Sequence, residues 1–286
     1  MSQVDSLELS KVLELFDGLR DNPSKRMEIC KYVEENNLIA VFGYGSLLWN
    51  QIRHVNDMIY NCTLEGYRKG FICEDIIYRG TKRFTGLTMG LEEDSQSYVK
   101  GALLIATAHQ IIPFVEAFLE RETPTIINGV RMNIYRYDFV KVILPDGITC
   151  GYALTCIVNE KSEFHMNPRL TLNQQAKKMA LAYGQNGTNL QYLQRAIYTY
   201  EQLKLKDSCT DELEELFRQV IFYRQNLPTT GQDLLRIYDE FSTMEERQRT
   251  VNSYALVACQ ASVEPWLHRS MCIQRLFSQV EQPQSA

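Results

Sequence analysis

The chain carries Gly43-Tyr44-Gly45-Ser46 at the end of an apolar run rich in strand formers, Leu38-Ile39-Ala40-Val41-Phe42. Two glycines there allow close backbone approach and positive φ angles. Successive N–H groups of Tyr44, Gly45 and Ser46 can form a concavity that favours a carboxylate or developing negative charge. A tight turn between a buried strand and its successor fits the same residues. A second feature is Leu119-Glu120-Arg121-Glu122-Thr123-Pro124, closing an apolar helical pattern. Glu116 and Glu120 share one face, whereas Glu122 lies about 200° around from Glu120 and points toward the core side. A carboxyl at a helix C-terminus, partly buried, is disfavoured as an anion, which suits a group that must carry a proton near neutral pH. The same stretch also fits a surface Arg–Glu run, and the residues alone leave that alternative open.

Two further groups have weaker chemistry. Asn189 and Tyr192, one helical turn apart after Gly184-Gln185-Asn186-Gly187-Thr188, would offer neutral hydrogen bonds to a zwitterionic substrate, or mark only a helix–turn–helix corner. Arg79, in Arg79-Gly80-Thr81, could grip a carboxylate with its forked donors, or be a solvated strand residue. Other chemistries fail on spacing. Leu48 occupies the third glycine position of a dinucleotide fingerprint and the last glycine of a nucleophile elbow, and no P-loop pattern occurs. Histidines 54, 109, 165 and 268 share no context that would select one for a Ser–His–Asp or Cys–His site.

The elements that must position these groups follow from periodicity. Residues 5–36 read as helix interrupted at Asn22-Pro23, with Leu9, Val12, Leu13, Phe16 and Leu19 at helical spacing. From 38 to 158 the texture is strand and turn, with glycines 66, 70, 80, 86, 90 and 101 punctuating short apolar runs. It is broken by one helix at about 111–121, and its clearest hairpin turns at Pro145-Asp146-Gly147. Beyond Pro168 the chain reads as helix. Thr171 is placed to cap 172–183, Thr188 or Asn189 the next helix, and capping boxes are expected at Ser208-x-x-Asp211 and Ser242-x-x-Glu245, with a hinge at Leu227-Pro228-Thr229-Thr230-Gly231 and a last helix opening at Ser262.

Composition excludes several classes. The chain has 286 residues, 45% hydrophobic and 23% charged, as in ordinary globular proteins, and a net charge of −5. The negative balance argues against nucleic acid or an anionic membrane as main partner. No apolar run is long enough to span a bilayer, and the N-terminal residues show no secretory pattern. Eight cysteines, at 30, 62, 73, 150, 156, 209, 259 and 272, form no Cys-x-x-Cys or zinc-ligand spacing and read as reduced thiols of a cytoplasmic protein, which leaves the sequons at Asn61 and Asn186 as coincidence.

Four blocks in order resemble the ChaC-type γ-glutamylcyclotransferases over about 39–205: Val41-Phe42-Gly43-Tyr44-Gly45-Ser46-Leu47-Leu48-Trp49; Gly66-Tyr67-Arg68 with Tyr78-Arg79-Gly80-Thr81 and Gly86; Arg121-Glu122; and Gly184-x-x-Gly187-Thr188-Asn189-x-x-Tyr192-Leu193. Two departures stand out. Asn128-Gly129-Val130 stands near where the family has Gly-Tyr, and Thr85-Gly86 replaces Pro-Gly.

The resemblance implies an α+β fold with a mixed sheet or barrel core over 38–205, between helical extensions at 1–37 and 206–286. It implies cleavage of glutathione to 5-oxoproline and Cys-Gly, with Glu122 as general acid and base, Tyr44, Gly45, Ser46, Leu47, Arg79, Asn189 and Tyr192 around the substrate, and no metal or cofactor. Other γ-glutamyl amides or amines as substrates, or an inactive binding module, are the alternatives. The helical extensions are the expected place for a protein partner.

Overall fold

The computed structural model describes residues 5–82, 84–122, 126–127, 130–131, 133–166 and 169–226. The expected hinge at 227–231, the capping sites at Ser242 and Ser262, Asn128-Gly129, and cysteines 259 and 272 lie outside these residues, as does the side chain of Val130. The described chain divides into two compact units. One comprises residues 5–73, 89–166 and 203–209, the other 74–88, 169–202 and 210–226.

The first unit is built on a closed barrel with strand order β1-β3-β2-β6-β7. These strands are β1 (Leu38–Gly43), β2 (Asp57–Asp75), β3 (Gly86–Thr107), β6 (Tyr135–Ile143) and β7 (Cys150–Val158); β4 (Ile126–Ile127) and β5 (Val130–Arg131) form a separate two-residue pair. The α+β barrel expected from the family resemblance is therefore present. β1 runs antiparallel to β3, from Leu38 opposite Thr107 to Gly43 opposite Ala102, and parallel to β7, with Val41 opposite Leu154. The β6–β7 hairpin turns as expected, with Asp146 Oδ1 accepting from the N–H groups of Ile148 (2.9 Å) and Thr149 (2.8 Å).

The short apolar runs expected between glycines are instead two long strands, of 19 and 22 residues in β2 and β3, that contain glycines 66, 70, 86, 90 and 101, with Gly80 between the two strands. A closing barrel requires its strands to bend, and glycines inside them permit it. Gly101 shows the reason directly: a Cβ there would stand 2.4 Å from the Gly43 carbonyl oxygen, so β3 passes the end of β1 only because that side chain is missing.

The first helix, α1 (Ser6–Leu13), is capped by Asp5 and ends sooner than its periodicity predicts. The chain then turns at Gly18 (φ 93°), and Phe16 and Leu19 are buried from this turn rather than from a helix. Helix α2 (Pro23–Asn36) starts on an Asn22 cap with proline in its first turn and ends at left-handed Asn37. The Phe16 ring packs edge-on against Tyr137 of β6 at 4.8 Å and lies 6.0 Å from Phe118 of helix α3 (Ile111–Glu122). Thus the 14–22 turn wedges α3 against the barrel. Segment 203–209 is fastened to the same unit by a fully buried ion pair between Lys69 and Asp207, whose Oδ2 also accepts from the Lys100 N–H at 3.0 Å.

The second unit contains helices α4 (Leu172–Leu181), α5 (Asn189–Gln202) and α6 (Thr210–Gln225), with a small hairpin of β8 (Tyr183–Gly184) and β9 (Gly187–Thr188). Thr171 caps α4 in a capping box with Gln174, as expected. Thr188 begins α5 in the same way, accepting from the Gln191 N–H at 3.1 Å while the Gln191 side chain accepts from the Thr188 N–H at 2.9 Å. The Ser208 capping box does not form: Ser208 donates to the Tyr98 carbonyl at 3.0 Å, and α6 starts at Thr210.

Candidate active site

Helix α3 is amphipathic, with Ile111, Phe114, Val115, Ala117 and Phe118 buried. Glu116 and Glu120 face outward, as their spacing predicts. The Glu120 carboxylate meets the exposed Arg53, at 2.5 Å. Glu122, the last helical residue, faces inward: its side chain is 13% exposed and its carboxylate Oε1 accepts from Arg121 Nε at 2.8 Å. Burial pushes the Glu122 carboxyl above its ordinary value, and the Arg121 guanidinium opposes the shift. Removal from water, the second of the two causes the sequence suggested, is what raises this carboxyl in the folded chain.

The other arm of Arg121 reaches the glycine-rich turn. Its Nη2 donates to Ser46 Oγ at 3.0 Å, across 75 positions of sequence. Tyr44 is extended, Gly45 takes φ 53°, and residues Gly45–Leu48 form a single 3-10 turn. The positive φ explains the glycine, since side chains are strained there. Leu47 and Leu48 are buried beneath the turn, and the Leu47 N–H donates to the Tyr44 carbonyl at 3.3 Å. Tyr44 is 5% exposed, and its hydroxyl donates to the Cys156 carbonyl of β7 at 2.9 Å, with Cys156 Sγ 3.9 Å away. Burial pushes both the Tyr44 phenol and the Cys156 thiol well up, and the nearby Glu122 carboxylate acts on both in the same direction.

One carboxyl, one guanidinium, one hydroxyl and one buried phenol therefore meet around the turn after β1. Sequence reasoning singled out Tyr44, Gly45, Ser46 and Glu122. It did not assign a role to Arg121 or Cys156. Arg121 stood in a motif that also reads as surface charge, and only its two contacts separate the readings. Among the described residues no group of three or more His, Cys, Asp or Glu side chains could hold a metal ion.

In the second unit, Arg79, Asn189 and Tyr192 come together. The Arg79 guanidinium sits 5.1 Å over the Tyr192 ring, and its Nη1 donates to the carbonyls of Asn186 (2.5 Å) and Thr188 (3.5 Å). Burial pulls the Arg79 guanidinium below its ordinary value, with Tyr192 opposing. Asn189 is fully buried; its Nδ2 donates to the Leu87 carbonyl at 2.6 Å and its Oδ1 accepts from the Leu87 N–H at 2.5 Å. One N–H and one oxygen lone pair of this amide remain beyond those bonds, but the side chain has no exposed surface.

Comparison with known proteins places the chain in a family. No curated protein matched the sequence. Two crystal structures of a γ-glutamyl cyclotransferase specific to glutathione from yeast are similar in fold. One, selenomethionine-labelled, matches with TM-score 0.57 at 18% identity, covering 66% of this chain and 97% of that one; the other has TM-score 0.53 at 19% identity, covering 65% and 99%. A family model described as ChaC-like protein matches residues 39–222, well over half of the sequence and including the Gly-Tyr-Gly-Ser turn, α3 and its terminal glutamate. The chain belongs to the ChaC-like protein family.

Proposed function

We propose that this protein is a γ-glutamylcyclotransferase that cleaves glutathione to 5-oxoproline and Cys-Gly. The observation that carries the reading is the buried Glu122 carboxyl joined through Arg121 to Ser46 of the glycine-rich turn. Membership of the ChaC-like family and the fold shared with the yeast enzyme support it.

The reaction needs a folded substrate and one proton carrier. The substrate α-amine attacks its own γ-carbonyl carbon and closes a five-membered ring. Holding the chain in that fold makes the attack intramolecular, worth up to about 7–11 kcal/mol. The Glu122 carboxylate takes the proton that the amine must lose. The carbonyl oxygen becomes an oxyanion beside the N–H groups of Tyr44, Gly45 and Ser46. The bond from that carbon to the cysteinyl nitrogen then breaks, and the Glu122 carboxyl returns the proton to the leaving nitrogen. No water enters the balance. A carboxyl raised by burial suits both steps, because its proton affinity lies closer to that of the amine than an exposed glutamate's would.

Cytoplasmic action and recruitment of a protein partner through the helical extensions, with domain edges near 37 and 205, belong to the same proposal. The test is 5-oxoproline release from glutathione by the parent and by Glu122→Gln, which keeps shape and hydrogen-bonding atoms but cannot shuttle a proton. The variant should bind glutathione and lose about 10²–10⁴ in turnover. Full turnover removes Glu122 from the chemistry. A panel of other γ-glutamyl amides then tests the leaving group.

A further inference from the structure

We infer that Arg121 is a positioning residue of this reaction: it clamps the Glu122 carboxylate to the Gly-Tyr-Gly-Ser turn through Ser46. The inference rests on the reading of Glu122 as the proton carrier. Arg121 holds the Glu122 carboxylate at the end of α3, with Nε on the carboxylate at 2.8 Å and Nη2 on Ser46 Oγ at 3.0 Å. A planar guanidinium can address two acceptors in fixed directions at once, which a lysine ammonium on its flexible stem does poorly. The Arg121 side chain is only 20% exposed, so the clamp is partly shielded from water. Ser46 Oγ, accepting from Arg121, keeps its own proton for donation.

The clamp also sets the charge at the carboxylate. Groups that interact electrostatically with Glu122 include Arg121 on its own helix, Tyr44 from the turn and Cys156 from β7. Burial keeps the phenol and the thiol protonated, so among the described residues Arg121 provides the charge that favours the ionised carboxylate. Removing it must raise the pH at which the base becomes available. A purely structural arginine would change stability without moving that limb.

The experiment compares the full chain with Arg121→Met, Arg121→Lys and Ser46→Ala, measuring 5-oxoproline release from glutathione between pH 5 and 9, with melting temperatures alongside. In Arg121→Met the acid limb of kcat/KM should move up by about 1–3 pH units. Arg121→Lys keeps the charge, so its limb should stay near the parent's, while kcat falls on the order of tenfold to a hundredfold from lost orientation. Ser46→Ala opens one arm and should lower kcat without moving the limb. An unmoved limb in a folded Arg121→Met variant, with Glu122→Gln inactive, overturns the clamp and leaves the role of Glu122 standing. If Arg121→Met does not fold, parental kcat in both Arg121→Lys and Ser46→Ala overturns it instead. Full activity in Glu122→Gln overturns the reading on which the clamp depends.

Discussion

Replacing Asn189 with alanine removes both hydrogen bonds through which its buried amide holds the Leu87 backbone. The two atoms of the side chain act on Leu87 as a neighbouring strand would, one accepting from its N–H and one donating to its carbonyl. Asn189 has no exposed surface, so water has no ready path to replace it. Each buried backbone group left unpaired costs about 1–3 kcal/mol, so Asn189→Ala should destabilise by roughly 2–6 kcal/mol. At about 2–4 °C per kcal/mol for a protein of this size class, melting should fall by roughly 4–24 °C. Asn189→Asp adds a signed check. Its carboxylate can accept from the Leu87 N–H but faces the Leu87 carbonyl, so the folded state favours the protonated acid. Its pKa is then higher folded than unfolded: stability is fullest below the unfolded value and lost as pH rises through the folded one. Asn189→Asp should therefore approach the parent's stability near pH 4 and fall below it at pH 7. The assay is thermal and urea unfolding of each variant, with KM measured at a temperature where all are folded. Unchanged melting with a large rise in KM would refute this assignment and return the amide to substrate binding.

Two more predictions concern buried charge. Because burial raises the Glu122 carboxyl, its ionisation opposes folding once pH exceeds the raised value. Glu122→Gln should thus melt higher than the parent at pH 7.5, with the gap closing toward pH 4; equal melting at both pH values would contradict the burial argument. Lys69 and Asp207 form a fully buried pair, so Lys69→Met strands a carboxylate and should cost about 3–5 kcal/mol in urea unfolding. Adding Asp207→Asn should recover part of that loss, and parental stability in the single variant would show that the pair holds nothing.

The local pattern of residues was enough to locate α3, the β6–β7 hairpin, the Thr171 cap and the glycine-rich turn, because each depends on near neighbours: apolar spacing, a turn tripeptide, a capping hydroxyl, a pair of glycines. Three features misled for equally physical reasons. Helical spacing continued past Leu13 to Phe16 and Leu19, yet these side chains are buried from a turn, since burial rewards them in either conformation, as Phe16 against α3 and β6 shows. Glycines that looked like loop punctuation sit inside β2 and β3, because barrel closure asks the strands to bend and to pass one another closely, as Gly101 does beside Gly43. Ser208 had the spacing of a helix cap but found a carbonyl on β3 instead.

Family membership, and Glu122 as the candidate for a proton carrier, were legible in the amino-acid sequence, since order and spacing of side chains are one-dimensional properties. Which charge faces that carboxylate was not. Arg121 and Glu122 are neighbours whose helical directions diverge, and nothing in their order shows a long side chain folding back to reach a hydroxyl 75 positions earlier. That contact, and the burial that raises the carboxyl, arise only when β1 and α3 are packed in one core, because desolvation and hydrogen-bond geometry are properties of surroundings rather than of residues.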